Sequence, residues 1–239
     1  MKKYTLVSND KKIKFKVPQG FDEINYLQWK KALPYLLEID KVQNNLDNGE
    51  FETANKVVVD SICHIIASLS QGVKCEELMQ CDYVKIVNLF TLDFMFLQTK
   101  SEKRVFDVNG KTVVIPDFTK RSAGSFMDAM DLLKQADEND ADVGVTLLSV
   151  YLQDAEYSQD IEKINQTKEW LIKNGRMDLF RSISFFLLTF MNSSEIPIKR
   201  HSKIQTKLEK LISTLKISDI MHFLRVLQKL GFYQITKRK

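Results

Sequence analysis

The dipeptide Asn109-Gly110, set between KRVFDV and KTVVIP, is the strongest local constraint in this chain. A two-residue type I′ connection needs positive φ at both central positions, which asparagine and glycine tolerate best. The flanking alternation therefore predicts a β-hairpin over 103–116. A similar phrase opens the chain, where TLVS and KIKFKV flank NDKK, a polar turn whose Asn9 and Asp10 tolerate the same backbone region. Both phrases end in a β-branched residue and a proline, Val17-Pro18 and Ile115-Pro116. A two-stranded hairpin is too small to be stable alone, so each is expected to be held by the helix that follows it.

Those helices are predicted from spacing. FDEINYLQWKKALPYLLEI carries Ile24, Leu27, Leu33, Leu36 and Leu37 at helical intervals, with a break or kink expected at Pro34. Residues 52–69 repeat the pattern with Val58, Ile62, Ile65, Ile66 and Leu69 inward. CEELMQCDYVKIVNLFTLDFMFL adds a short third helix and a strongly apolar fourth. After the second hairpin, SAGSFMDAMDLLKQA places Phe126, Met130 and Leu133 on one face. Trp29 stands eleven positions after Pro18 and Phe126 ten after Pro116, so each hairpin delivers a large aromatic onto the next helix, expected to cover the strands. LFTLDFMFL at 89–97 and LFRSISFFLLTF at 179–190 close the two halves as phenylalanine-rich helices. An internal duplication accounts for this echo. So does coincidence, because β-β-α phrases and aromatic helices are common.

The expected fold is therefore mainly α (α+β), a multi-helix body with two small β-hairpins and a basic C-terminal helical pair. Its segments are a hairpin plus helical unit at 1–98, a second at 99–194 and a basic helical arm at 195–239. At 239 residues and 44% hydrophobic content the chain can bury a sizeable core. Neither a secretory h-region nor about 18 uncharged apolar residues in a row occurs, which predicts a soluble, unsecreted protein with no membrane span.

The arm carries most of the charge asymmetry. Of 35 lysines and arginines, eleven lie in it: Lys199, Arg200, Lys203, Lys207, Lys210, Lys216, Arg225, Lys229, Lys237, Arg238 and Lys239. From 199 to 239 only Glu209 and Asp219 oppose them, so a body near −5 over 1–198 precedes a tail near +9. Ile204, Leu208, Leu211, Ile212 and Leu215 form the stripe of one helix, and a second is capped by Ser218 and stopped by Gly231. Such helices neutralise phosphates without reading sequence, which makes the arm a candidate DNA-binding or docking element. An acidic protein partner or a plain solvated face fits the same charge.

Catalytic and metal-binding patterns resolve into structural ones. Gly110-Lys111-Thr112 resembles the end of a phosphate loop, but Val105 stands where that motif needs its first glycine. DENDADVG at 137–144 lacks the ligands and sharp-turn glycine of a calcium loop, and Leu148 replaces its terminal glutamate, leaving a solvated acidic link. Cys63, Cys75 and Cys81 are odd in number, with no C-x-x-C pair, so packing in a reducing compartment is expected rather than zinc. His64, His201 and His222 accompany no nucleophile motif. Asp22-Glu23 and Glu76-Glu77 sit at helix starts, where the macrodipole favours acids. No catalytic residue, cofactor or metal is assigned, and the expectation is a protein that is not an enzyme.

VPQGFDEINYLQW, then FDVNGKTVVIPDF and GSFMDAMDLL, resemble a group of small proteins encoded among the virion and tail genes of tailed bacteriophages, the crAss-like phages and their relatives. Pro18, Phe21, Glu23, Ile24, Gln28 and Trp29 carry the first part, and Gly124, Phe126, Phe185 and Phe186 the second. The likeness extends over 13 to 190 and excludes the arm. It implies a non-enzymatic structural, cargo or assembly role in the virion, reached through the host cytoplasm. The implied partners are other virion proteins in a multi-copy assembly, and packaged DNA through the arm.

Overall fold

The computed structural model describes residues 1–8, 11–47, 51–98, 102–115, 117, 143–152 and 161–182. The protein is mainly helical, with two small two-stranded antiparallel sheets. Its order is β1 (Lys2–Ser8), β2 (Lys11–Val17), α1 (Tyr26–Asp47), α2 (Phe51–Leu69), α3 (Cys75–Leu78), α4 (Tyr83–Asp93), β3 (Val105–Val108), β4 (Lys111–Val114), α5 (Val143–Tyr151) and α6 (Ile161–Asn174). Two compact units divide the described residues. One holds 1–24 and 28–98, and the other holds Asn25–Leu27 with the described residues from 102 onward.

In the first unit, β1 and β2 pair in full register from Lys2↔Val17 to Ser8↔Lys11. Lys11 and Lys12, expected in the turn, belong to β2, because two residues suffice for the connection and the extra pairs extend the ladder. A 3-10 turn at Phe21–Glu23 precedes α1, so that helix begins at Tyr26. Its buried positions are Tyr26, Trp29, Ala32, Ile39 and Val42, whereas Leu27 is half exposed and Leu33, Leu36 and Leu37 are only partly covered. The inward face expected through Leu27 is thus rotated, since Ile24, fully buried, lies before the helix and sets no phase for it. Pro34 lies inside α1, which continues to Asp47.

On α2 the predicted stripe is buried as expected: Val58, Ile62, Ile65, Ile66 and Leu69 have no exposed surface. The side-chain amide of Gln28 donates to Leu69 O at 3.4 Å. Asp82 caps α4 by accepting from the Val84 N–H at 2.9 Å. LFTLDFMFL is not one helix: α4 ends at Asp93, Phe94 leaves helical geometry, and a 3-10 turn, Met95–Gln98, follows. That break lets Phe94 stack on Phe90 at 5.2 Å and turns Phe96 edge-on to Phe21 at 5.3 Å. Phe21 in turn meets Trp29 edge-on at 6.2 Å, so one aromatic cluster joins the start of α1 to the end of α4.

In the second unit the Asn109-Gly110 turn forms as the sequence requires, with φ of 53° and 75°. Phe106 and Val108 point inward from β3, and Val113 from β4. The turn is tied to α6, since Asn109 Nδ2 donates to Asn174 Oδ1 at 2.8 Å and Asn174 Nδ2 donates to Trp170 O at 3.1 Å. Arg176 donates to Asp107 O at 3.1 Å and grips Asp178 through two nitrogens at 3.1 and 2.5 Å. The Tyr26 N–H donates to Gly175 O at 3.0 Å, and the Tyr26 ring lies 5.2 Å from Phe180. The polar ties of each hairpin thus run further along the chain than to the next helix. Those of the first go to Asp93, Gln80 and Gln71. Phe126, Met130, Leu133, Gly124, Phe185 and Phe186 lie outside the described residues, as does the remainder of the phrase at 183–190.

A lysine-faced hairpin as the candidate functional site

All eleven cations of the arm, from Lys199 to Lys239, lie outside the described residues, together with His201 and His222. Several of the described titratable residues serve structure. Glu23 accepts from the Gln19 N–H at 2.7 Å and pairs with the Met1 ammonium. Burial alone would raise the Glu23 carboxyl, but that ammonium and the backbone donor outweigh it and hold it below its ordinary 4.5. Glu77 accepts from the Lys74 N–H at 2.8 Å at the start of α3. His64 stacks on Tyr35 at 4.1 Å and lies 3.9 Å from the Asp60 carboxylate. Cys63 is buried, and burial pushes its thiol up to about 12; Cys75 is pushed up to about 11. Both are thus protonated packing groups at neutral pH. Among the described residues, no group of three or more His, Cys, Asp and Glu side chains is placed to hold a metal ion.

The feature that does stand out is the outer face of the first hairpin. Because side chains alternate along a strand, Ile13, Phe15 and Val17 of β2 turn inward, and Lys12, Lys14 and Lys16 turn out. On β1 the exposed positions of the same face are Lys3, Thr5 and Val7. The register sets Lys3 directly opposite Lys16, Thr5 opposite Lys14 and Val7 opposite Lys12. Like charges in directly opposed positions weaken a strand pair, so nothing in the hairpin's own stability calls for this arrangement. Lys2, by contrast, is used internally. It donates to Asp93 at 2.9 Å, the Tyr4 hydroxyl bonds the same carboxylate, and hydrogen bonding to Tyr4 and then to Asp93 raises the Lys2 ammonium above its usual value. Among the described residues no carboxylate pairs with Lys3, Lys12, Lys14 or Lys16.

An open recess of about 520 Å³ lies on this face, lined by Lys3, Tyr4, Thr5, Lys14, Phe15 and Lys16 with Gln71 and Gly72. The loop after α2 builds its wall. Gln71 exchanges two backbone hydrogen bonds with Lys16, both 2.9 Å, and Gly72 turns away with φ of 88°, a conformation open to glycine. Sequence reasoning placed the strands but missed the site. The K-I-K-F-K-V alternation was the available signal, yet it becomes a two-stranded basic face only once Lys3 is registered against Lys16.

A second exposed surface belongs to α4. One side of this helix buries Ile86, Val87, Leu89 and Phe90. Its other side presents Val84, 47% exposed, and Leu92, 69% exposed, with Tyr83 and Met79 beside its N-terminus also about half exposed. No described helix is long and apolar enough to cross a membrane. Comparison of the chain with protein-family models, curated proteins and solved structures finds no match to any of them.

Proposed function

We propose that this chain is a non-enzymatic assembly component of a tailed-phage virion, joining another virion protein through an exposed surface. The observation that carries this reading is α4, a helix with large apolar side chains on its solvent side as well as its buried side. Lys85 and Asn88 share that solvent side, and Tyr83, Val84 and Leu92 with nearby Met79 are the apolar groups a protein partner would bury there. The resemblance of 13–190 to phage virion and tail proteins supplies the setting, and the use of Glu23, Glu77 and Arg176 as structural ties supports a role without turnover. A second reading is DNA association through the basic arm, favoured by the eleven cations against two acids over 199–239.

The test is incorporation into particles. Val84→Asp with Leu92→Asp should leave the fold intact, because both side chains are outward, and should abolish co-purification with virions. Full incorporation of the double variant would sink the α4 reading. A turnover lost on changing one acid, histidine or cysteine would sink the non-enzymatic one.

A further inference from the structure

We infer that the outer face of the β1–β2 hairpin is a binding site for the phosphodiester backbone of nucleic acid, contacted without regard to base sequence. This goes beyond the assembly reading and rests on different residues, so either can fail alone.

Four lysines carry the site: Lys3, Lys12, Lys14 and Lys16. Successive outward positions on a strand are about 6.8 Å apart, so Lys12, Lys14 and Lys16 form a row of three regularly spaced ammonium groups, with Lys3 set beside its end. This geometry presents charge along a line, which suits a chain of phosphates better than one small anion. The opposed pair Lys3↔Lys16 costs the hairpin stability when empty and gains it when an anion lies between the two. The recess between Lys3, Thr5, Lys14 and Lys16 is open, and Thr5 and Gln71 add neutral polar groups at its edge.

The composition of the face selects among polyanions. A protein interface has an apolar or aromatic centre depleted in lysine, whereas here Val7 at the far end is the one apolar residue in the face. A membrane-seeking surface presents aromatic or aliphatic groups to insert, and this face has none beyond Val7. Interfaces with nucleic acid are polar, wet and strongly positive, which matches. Base stacking is not on offer. The Tyr4 hydroxyl is engaged by Asp93 and the Phe15 ring is buried, so neither aromatic that borders the recess is free for it. Lysine ammonium groups are point charges without the planar fork that reads base edges. The contact is therefore to phosphates.

The experiment is a salt titration of duplex DNA binding to the full chain, using two unrelated sequences. It compares the native protein with Lys14→Gln/Lys16→Gln and with Lys14→Arg/Lys16→Arg. Each phosphate neutralised contributes about −0.9 to the slope of log affinity against log salt, so the glutamine variant should flatten the slope by about 1.8 for both sequences alike. The arginine variant should keep the native slope, and it reports on the site even if the glutamine variant fails to fold. An unchanged slope in the glutamine variant, with binding left to residues elsewhere, overturns the inference. So does loss of slope in the arginine variant, or a tenfold preference for one sequence. Phosphatidylserine vesicles and polyglutamate serve as rival probes; if either binds the native face more tightly than DNA does and is released by the glutamine substitutions, the ligand is a lipid surface or an acidic protein, and the inference is wrong.

Discussion

Trp29 packs its indole against Phe21 with 2% of its surface exposed, and its Nε1–H is buried with no acceptor among the described residues. The ring therefore acts by volume. Trp29→Ala should cost about 3 to 5 kcal/mol, and Trp29→Phe clearly less, because the indole N–H makes no bond to lose. Equal loss from both in thermal melts would show that this N–H has a partner. Gly175 is the complementary case, since a Cβ there would lie 2.6 Å from the Phe180 ring and press on Leu171 O. Gly175→Ala should destabilise by roughly 1 to 3 kcal/mol through overpacking, measurable by denaturant titration. The importance of Trp29 was legible, because a large aromatic so soon after a hairpin has few places to go. That of Gly175 was not. Its need for a bare Cα arises from Leu171 O and the Phe180 ring, which close on it only once the chain turns at the end of α6.

At the scale of elements, turns and long apolar stripes were legible, and helix phase was not. Asn109-Gly110 specifies its own conformation, and the α2 stripe repeats often enough to set the buried face. The phase of α1 was lost because the 3-10 turn at Phe21–Glu23 separates Ile24 from the helix proper. The same turn holds a pH-sensitive tie. Glu23 has a folded pKa below 4.5, so the stability it contributes is fully present above the unfolded value and disappears as pH falls through the folded one. Glu23→Gln should therefore be less stable than the native protein at neutral pH, with the difference shrinking once pH drops below about 4.5. Denaturant midpoints measured across that range decide it. A constant difference would mean that the carboxylate charge is not what the tie uses. The outward lysines of the first hairpin act in the opposite sense: relieving Lys3 against Lys16 by Lys3→Thr should raise the melting temperature slightly, since directly opposed like charges destabilise a strand pair.

At the scale of the molecule, a body near −5 and a tail near +9 raise the question of whether the proposed hairpin site and the tail act together on one polyanion. The sequence showed the tail as a run of cations, because charge along the chain needs no fold to be counted. The hairpin face needed a register, and so stayed hidden among 24 lysines and arginines outnumbered by acids in the same stretch. If both surfaces engage one DNA molecule, the second contact forms at high effective concentration, and joint affinity exceeds either alone by about 100-fold or more. Three full-length variants test this: Lys14→Gln/Lys16→Gln in the hairpin, Lys203→Glu/Lys207→Glu/Lys210→Glu in the arm, and the two sets combined. On DNA long enough to span both surfaces, either set alone should lower affinity by about 100-fold, to that of the remaining surface by itself, and the combined variant should bind more weakly still. On a short duplex able to occupy one surface only, the single sets should each leave measurable binding at the other. The same loss on long and short DNA would mean that the surfaces do not act on one molecule together. No loss from the arm set on either DNA would mean that the arm makes no contact with DNA, and would leave the hairpin as the proposed nucleic-acid contact.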